Sequence, residues 1–263
     1  MDINLKNKKA FVCGSTQGIG RAAAIELANL GASIVLLARN EDALKQVKSQ
    51  LNTEQNQVHD YIVADFSAPD ELQKRVAEYL ENNAQAIHIL INNTGGPPAG
   101  KAIDAELDEF VSAFNNHLLC NQILVQSLIA GMKTEKFGRI VNVISTSVKQ
   151  PIPNLGVSNT IRGAVASWAK TLAGELGEFG ITVNNVLPGF TKTARLQSII
   201  ENKANKTGDA VEKVEAEMKN ETPARRFAEA SEVANAIAFL ASPAAAYING
   251  INLPVDGGRT TCL

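Results

Sequence analysis

Short apolar runs alternate with longer stretches in which apolar residues recur every three to four positions, from one end of the chain to the other. The runs over 10–13, 33–37, 58–64, 87–91, 139–144, 182–187 and 251–255 are brief and rich in β-branched residues, which predicts strands. Most are apolar almost throughout, as strands covered on both faces are. Helices are predicted over 18–30, 42–51, 69–80, 107–132, 158–179 and 232–240. In the helix over 158–179, Ile161, Val165, Trp168, Leu172 and Leu176 fall on one stripe, which reads as core. Regular strand–helix alternation predicts an α/β fold: a doubly wound, seven-stranded parallel sheet with helices on both faces.

The segment 191–223 breaks the rhythm, being charged and helix-prone with few large apolar residues. It reads either as a solvated excursion or as a lid, and its place before the last strand–helix unit suits a lid. No repeat, low-complexity tract or Pro/Ser-rich linker divides the chain, so residues 1–263 read as one domain carrying that insertion.

Hydrophobic residues make up 45% and charged residues 20%, enough for a sizeable core. A formal net charge of -2 argues against a nucleic-acid or anionic-membrane partner. Cys13, Cys120 and Cys262 are too few and too scattered for a disulfide framework and suit a reducing cytoplasm. The polar start of the chain shows no signal-peptide core, and no apolar run is long enough to span a bilayer. His59, His88 and His117 lie far apart with no ligand-spaced Cys, Asp or Glu, so no metal site is expected.

Candidate chemistry begins where the first strand meets Gly14-Ser15-Thr16-Gln17-Gly18-Ile19-Gly20 and a helix follows at once. Glycines serve where a turn is tight and a pyrophosphate must approach bare backbone, and the new helix offers free N–H groups to the phosphates. That context makes a dinucleotide site. The second strand ends at Ala38-Arg39-Asn40, without the carboxylate that would accept from ribose hydroxyls and with a cation suited to a 2′-phosphate. NADP is therefore expected over NAD.

With Asp65 after the third strand, Asn92-Asn93-Thr94-Gly95 after the fourth, Pro188-Gly189 after the sixth and Val255-Asp256-Gly257-Gly258 near the end, the chain resembles the short-chain dehydrogenase/reductase superfamily. Its Thr94–Pro97 loop looks most like a divergent subgroup of the 3-oxoacyl-acyl-carrier-protein reductases. The resemblance implies that Gly14, Thr16, Gln17 and Ile19 line the pyrophosphate, Asp65 and Phe66 border the adenine, and Asn93, Thr94 and Gly95 the riboses. It implies that Pro188, Gly189, Thr191 and Thr193 hold the nicotinamide carboxamide, and that the chain forms a homotetramer.

The superfamily's Asn-Ser-Tyr-Lys set is matched in part. Ser145 stands in the serine register, but the tyrosine register falls on Ser158, the lysine register on Arg162 and the asparagine register on His117, beside Asn116. Four residues after Tyr61, Tyr79 and Tyr247 come Asp65, Asn83 and Ile251, so no Tyr-x-x-x-Lys pair exists in the sequence. Ser158 and Arg162 still share one helix face. Arg162 keeps a positive charge for ribose hydroxyls or a developing alkoxide but cannot release its proton. His117 has a reference pKa near neutrality and is read either as a general acid, through water, or as a hydrogen-bonded helix residue without a chemical role.

Three functions follow. One is an NADP-dependent oxidoreductase moving hydride between nicotinamide and a carbonyl or alcohol, on a small ketone or an acyl thioester, with Ser145, His117, Ser158 and Arg162 as its catalytic set. Another is a non-catalytic NADP-binding sensor or assembly partner. An isomerase or dehydratase using His117 as base is a third.

Overall fold

The computed structural model describes residues 1–262. Seven strands, β1 (Lys9–Cys13), β2 (Ser33–Ala38), β3 (Asp60–Val63), β4 (Ile89–Asn92), β5 (Gly138–Val143), β6 (Ile181–Pro188) and β7 (Asn252–Val255), form one sheet in the order β3-β2-β1-β4-β5-β6-β7. Every neighbouring pair is parallel. The period of two along β1 separates two cores. Ala10 and Val12 face α1 (Gly18–Asn29), α2 (Glu41–Lys48) and α9 (Ala230–Ala241), through Leu27, Leu44 and Ile237. Phe11 and Cys13 face α3 (Pro69–Glu81), α5 (Cys120–Thr134) and α6 (Gly156–Leu176), through Leu72, Leu124 and Ala173. The sheet is covered on both sides, as the apolar strands predict.

Four strands are tied at one level by asparagines. Asn92 donates to Asn142 (2.8 Å), Asn142 to Asn185 (2.9 Å) and Asn185 to Asn252 (2.8 Å), crossing β4, β5, β6 and β7 in register. Each Nδ2 fills the next amide's Oδ1, as buried polar groups require, and only the Asn92 Oδ1 at the head of the ladder has no partner among the described residues.

Several boundaries differ from the sequence reading. The strand expected over 58–64 shrinks to β3 because Val58 is exposed and the His59 ring, rather than the backbone, accepts the Ile34 N–H at 3.1 Å. The helix expected over 107–132 is three pieces: α4 (Leu107–Phe114), a π turn over Asn115–Leu119, and α5. The helix expected over 158–179 starts two residues earlier, at Gly156, and closes in a 3-10 turn over Gly177–Phe179. The segment 191–223 holds a helical hairpin, α7 (Ala194–Thr207) and α8 (Val211–Asn220). That hairpin has its own apolar core of Leu196, Ile200, Ala204, Val214, Met218 and Phe227, so it is more than a solvated excursion. Among the described residues, no helix is long and apolar enough to cross a membrane, and no group of three His, Cys, Asp or Glu residues gathers around a metal-sized space.

Candidate active site

All the strands run the same way, so the loops leaving their C-terminal ends collect at one edge of the sheet, where open α/β sheets place ligands. The loop after β1 is shaped by close approach. Gly14 has φ +58°, and a Cβ there would stand 2.5 Å from the Asn93 carbonyl oxygen. A Cβ on Gly20 would stand 2.2 Å from the Gly14 oxygen. Asn93 locks the loop from the other side, its Nδ2 donating to the Cys13 and Gly14 carbonyls at 3.2 and 3.4 Å. Gln17 precedes α1 without a side-chain cap, and the first turn carries no acidic residue. The amides around Gly18 and Ile19 are therefore left for an external anion.

Arg39, after β2, is exposed and makes no hydrogen bond or ion pair among the described residues. Asp65, after β3, accepts from the Ser67 N–H at 2.9 Å. That bond first, and the Arg39 charge in addition, hold the Asp65 carboxyl below its usual range, so Arg39 and Asp65 flank the same mouth. Phe66 packs partly buried beneath them, its carbonyl accepting from the Cys120 thiol.

After β4 come Thr94, Gly95 and Gly96. A Cβ on Gly95 would meet nothing within 4 Å, so the cleft is open there. The Thr94 hydroxyl lies 2.6 Å from Nδ1 of His117. His117 sits in the π turn, 2% exposed, and burial first and the Arg162 charge second push its pKa down to about 2. The shift favours the neutral imidazole, the form that pairs with the Thr94 hydroxyl. In the same turn the Asn116 Oδ1 is buried and has no partner among the described residues. Insertions of this kind in helices concentrate at functional sites.

Ser145 follows β5, its Oγ accepting from the Ser147 N–H at 3.1 Å. Ser158 and Arg162 lie on the first turns of α6, both buried, and among the described residues Ser158 makes no side-chain hydrogen bond. Arg162 donates from Nη1 to the Val143 carbonyl at 3.0 Å, while its Nε is buried without a partner. Burial, then the charge of Arg195, lowers the Arg162 pKa to about 10, which leaves it a cation.

The loop after β6 closes the cleft. The Gly189 N–H donates to the Val255 carbonyl at 3.0 Å, and a Cβ on Gly189 would stand 2.7 Å from Asp256 Cα, so Pro188-Gly189 lies flat against the end of β7. Thr191 donates to the Gly189 carbonyl, and Thr193 donates to the Thr191 carbonyl while capping α7 through the Leu196 N–H. A Cβ on Gly18 would lie 3.1 Å from Thr193 Cγ2, so the root of the α7–α8 hairpin rests on the β1 loop.

Arg195, on the first turn of α7, is a residue the sequence reading passes over. It donates from Nη2 to the Pro97 carbonyl at 2.7 Å. Its only signal in the sequence is its place two residues beyond Thr193. The asparagine ladder was also missed, although each member is a polar residue inside or beside an apolar run.

A seven-stranded parallel sheet with a glycine turn under its first helix, and with the loops of six strands gathered at one edge, defines a Rossmann-type α/β protein. Residues 14–260 match the family described as enoyl-(acyl carrier protein) reductase. The chain belongs to that family, within the short-chain dehydrogenase/reductase superfamily. It is 28% identical to the NADPH-dependent reductase BacG of Bacillus subtilis (strain 168), over 97% of this chain and 98% of that one. It is 30% identical to the 3-oxoacyl-acyl-carrier-protein reductase FabG of Haemophilus influenzae, over 97% and 98% of the two. In structure it is similar to L-sorbose reductase from Gluconobacter frateurii complexed with NADPH and L-sorbose, with a TM-score of 0.92, 28% identity and 100% of both chains covered.

Proposed function

We propose that this chain is an NADP(H)-dependent reductase that delivers hydride to a carbonyl carbon through a catalytic set built without tyrosine and lysine. The observation that carries the reading is the buried, partly unpartnered Arg162 cation beside Val143, reached by the same cleft that the uncapped α1 turn and the open face of Gly95 line. Those residues fit a dinucleotide: free amides for its diphosphate, bare backbone where its riboses lie, and exposed Arg39 for a 2′-phosphate. BacG is named for NADPH dependence and L-sorbose reductase was solved with NADPH, which supports the same cofactor here.

When bound, the dinucleotide supplies the hydride. Pro188, Gly189, Thr191 and Thr193 hold the nicotinamide end, fixing the face presented to substrate. Ser145 donates a hydrogen bond to the carbonyl oxygen, with Ser158 as a second hydroxyl in the same pocket. Arg162 places a fixed positive charge where negative charge develops on that oxygen, and burial strengthens the effect. The neutral His117 ring is a positioning residue: it fixes Thr94 and, through it, the loop carrying Gly95. The proton reaches the oxygen from water, since Arg162 keeps its own.

The partner is a second copy of this chain. Leu107, Val111 and Phe114 are exposed at 80%, 57% and 42% and share one face of α4, and Leu119, at the end of the π turn, is exposed at 38%. Such a row on a folded domain is an interface signature.

The test follows NADPH absorbance with 3-oxoacyl thioesters, quinones and small ketones. Turnover is expected, and Ser145→Ala should lower kcat by roughly 10²-fold with NADPH affinity unchanged. Tight NADPH binding without turnover of any substrate would move the chain to the sensor or assembly reading.

A further inference from the structure

We infer that the molecule reduced at this site carries a carboxylate, held between Arg195 of α7 and Arg162 of α6. The inference rests on the reductase reading for calling that molecule a substrate; the anion site itself stands on the geometry.

A Cβ built on Gly96 would lie 3.8 Å from Arg195 Nη2 and 3.9 Å from Arg162 Nη2, with no other atom among its neighbours within 4 Å. Two guanidinium groups therefore converge on one small open space above a glycine. Neither forms an ion pair with a carboxylate among the described residues, whereas Arg75, Arg226 and Arg259 each do. The protein partners of the converging pair are neutral carbonyls: Pro97 for Arg195 and Val143 for Arg162. Arg162 is 7% exposed, and its Nε finds no partner.

Like charges brought together in a half-buried cleft repel, and each raises the cost of keeping the other ionised. An anion between them removes that repulsion and accepts from both planar forks. A carboxylate spans the gap, because each of its oxygens can accept from one guanidinium. The dinucleotide's diphosphate is provided for elsewhere, at the uncapped start of α1, and its 2′-phosphate at Arg39. The charge at Gly96 thus falls to the substrate. Arg162 also serves the carbonyl oxygen, so the carboxylate lies a few bonds from the reducible carbon, as in a short oxo acid.

The experiment is a calorimetric titration of the NADP⁺-loaded protein, which cannot reduce, with acetoacetate and levulinate and with their methyl esters. The acids should bind roughly ten- to hundred-fold more tightly than the esters. Arg195→Gln, an exposed position, should erase that difference and shift NADP⁺ affinity by less than about twofold, within the effect of a surface change. Equal binding of acids and esters, no binding of either, or an Arg195→Gln variant that weakens NADP⁺ instead of the acids would overturn the inference. NADPH oxidation by the same acids is read separately: acid-selective binding without turnover would leave the anion site standing and remove the reductase reading.

Discussion

The Thr94 hydroxyl and the His117 Nδ1 meet at 2.6 Å, joining the loop after β4 to the π turn that interrupts the following helix. The contact explains how a buried imidazole is tolerated: one ring nitrogen is satisfied, and the ring stays uncharged. Thr94→Val keeps the shape and removes the hydroxyl, leaving Nδ1 unpaired. The expected cost is about 1–3 kcal/mol, read as a lower urea midpoint with an unchanged slope. An unchanged midpoint would show that the contact holds nothing together.

The same ring sets an acid limit. Its folded pKa lies at about 2, far below the ordinary imidazole value of 6.5, so the unfolded chain binds a proton that the folded chain refuses. His59 and His88 are lowered in the same direction by burial. Stability should therefore be full above pH 6.5 and fall as pH drops below it. His117 alone removes about 2 kcal/mol by pH 5. His117→Asn should flatten this slope of stability against pH, whatever it does to stability at pH 7.5. A slope equal to that of the unaltered protein would show that His117 titrates normally.

Most of this architecture was legible because strand chemistry and turn chemistry are local. Runs such as the one over 33–37 announce themselves, and Gly14, Gly18 and Gly20 sit where a turn under a helix needs them. What escaped depends on contacts between distant segments. The π turn keeps the same apolar spacing as the helices on either side, so nothing in the pattern marks it. β3 is cut short by a ring bonding across to Ile34, a partner no local window contains. Arg162 and Arg195 are separated by all of β6, and only folding brings them above Gly96. The apolar core of the α7–α8 hairpin was diluted by the charges between its members, although Leu196, Ile200 and Ala204 keep helical spacing.

Two glycines of the cleft separate backbone necessity from ligand space. Gly14→Ala would set a methyl 2.5 Å from the Asn93 oxygen at a positive φ. It should cost at least about 2 kcal/mol and abolish NADPH binding. Gly95→Ala meets no protein atom, so stability should stay within about 0.5 kcal/mol while NADPH affinity falls roughly tenfold. Thermal melting and fluorescence titration of both variants would decide, and normal NADPH binding by Gly95→Ala would move the ribose away from that loop.

The exposed row on α4 predicts assembly. Val111→Glu with Phe114→Glu places two carboxylates on the face offered to a second copy, at positions that bury little in the single chain. Light scattering should show the unaltered protein as an oligomer and the double variant as a monomer with unchanged helical content. An unaltered protein that runs as a monomer would refute this.

Cofactor choice turns on Arg39. It is exposed and makes no ion pair, and Asp65 across the same mouth is drawn below its usual range partly by the Arg39 charge. Arg39→Ala removes the cation a 2′-phosphate would use and leaves Asp65 unscreened, and both changes act against the phosphate. NADPH affinity should drop roughly ten- to hundred-fold, while NADH, which has no 2′-phosphate, should bind as before. Because the guanidinium is solvent-exposed, rising salt should weaken NADPH binding in the unaltered protein and do much less in the variant. Equal losses for both nucleotides would assign Arg39 to shaping the pocket, and no loss for either would place it in solvent.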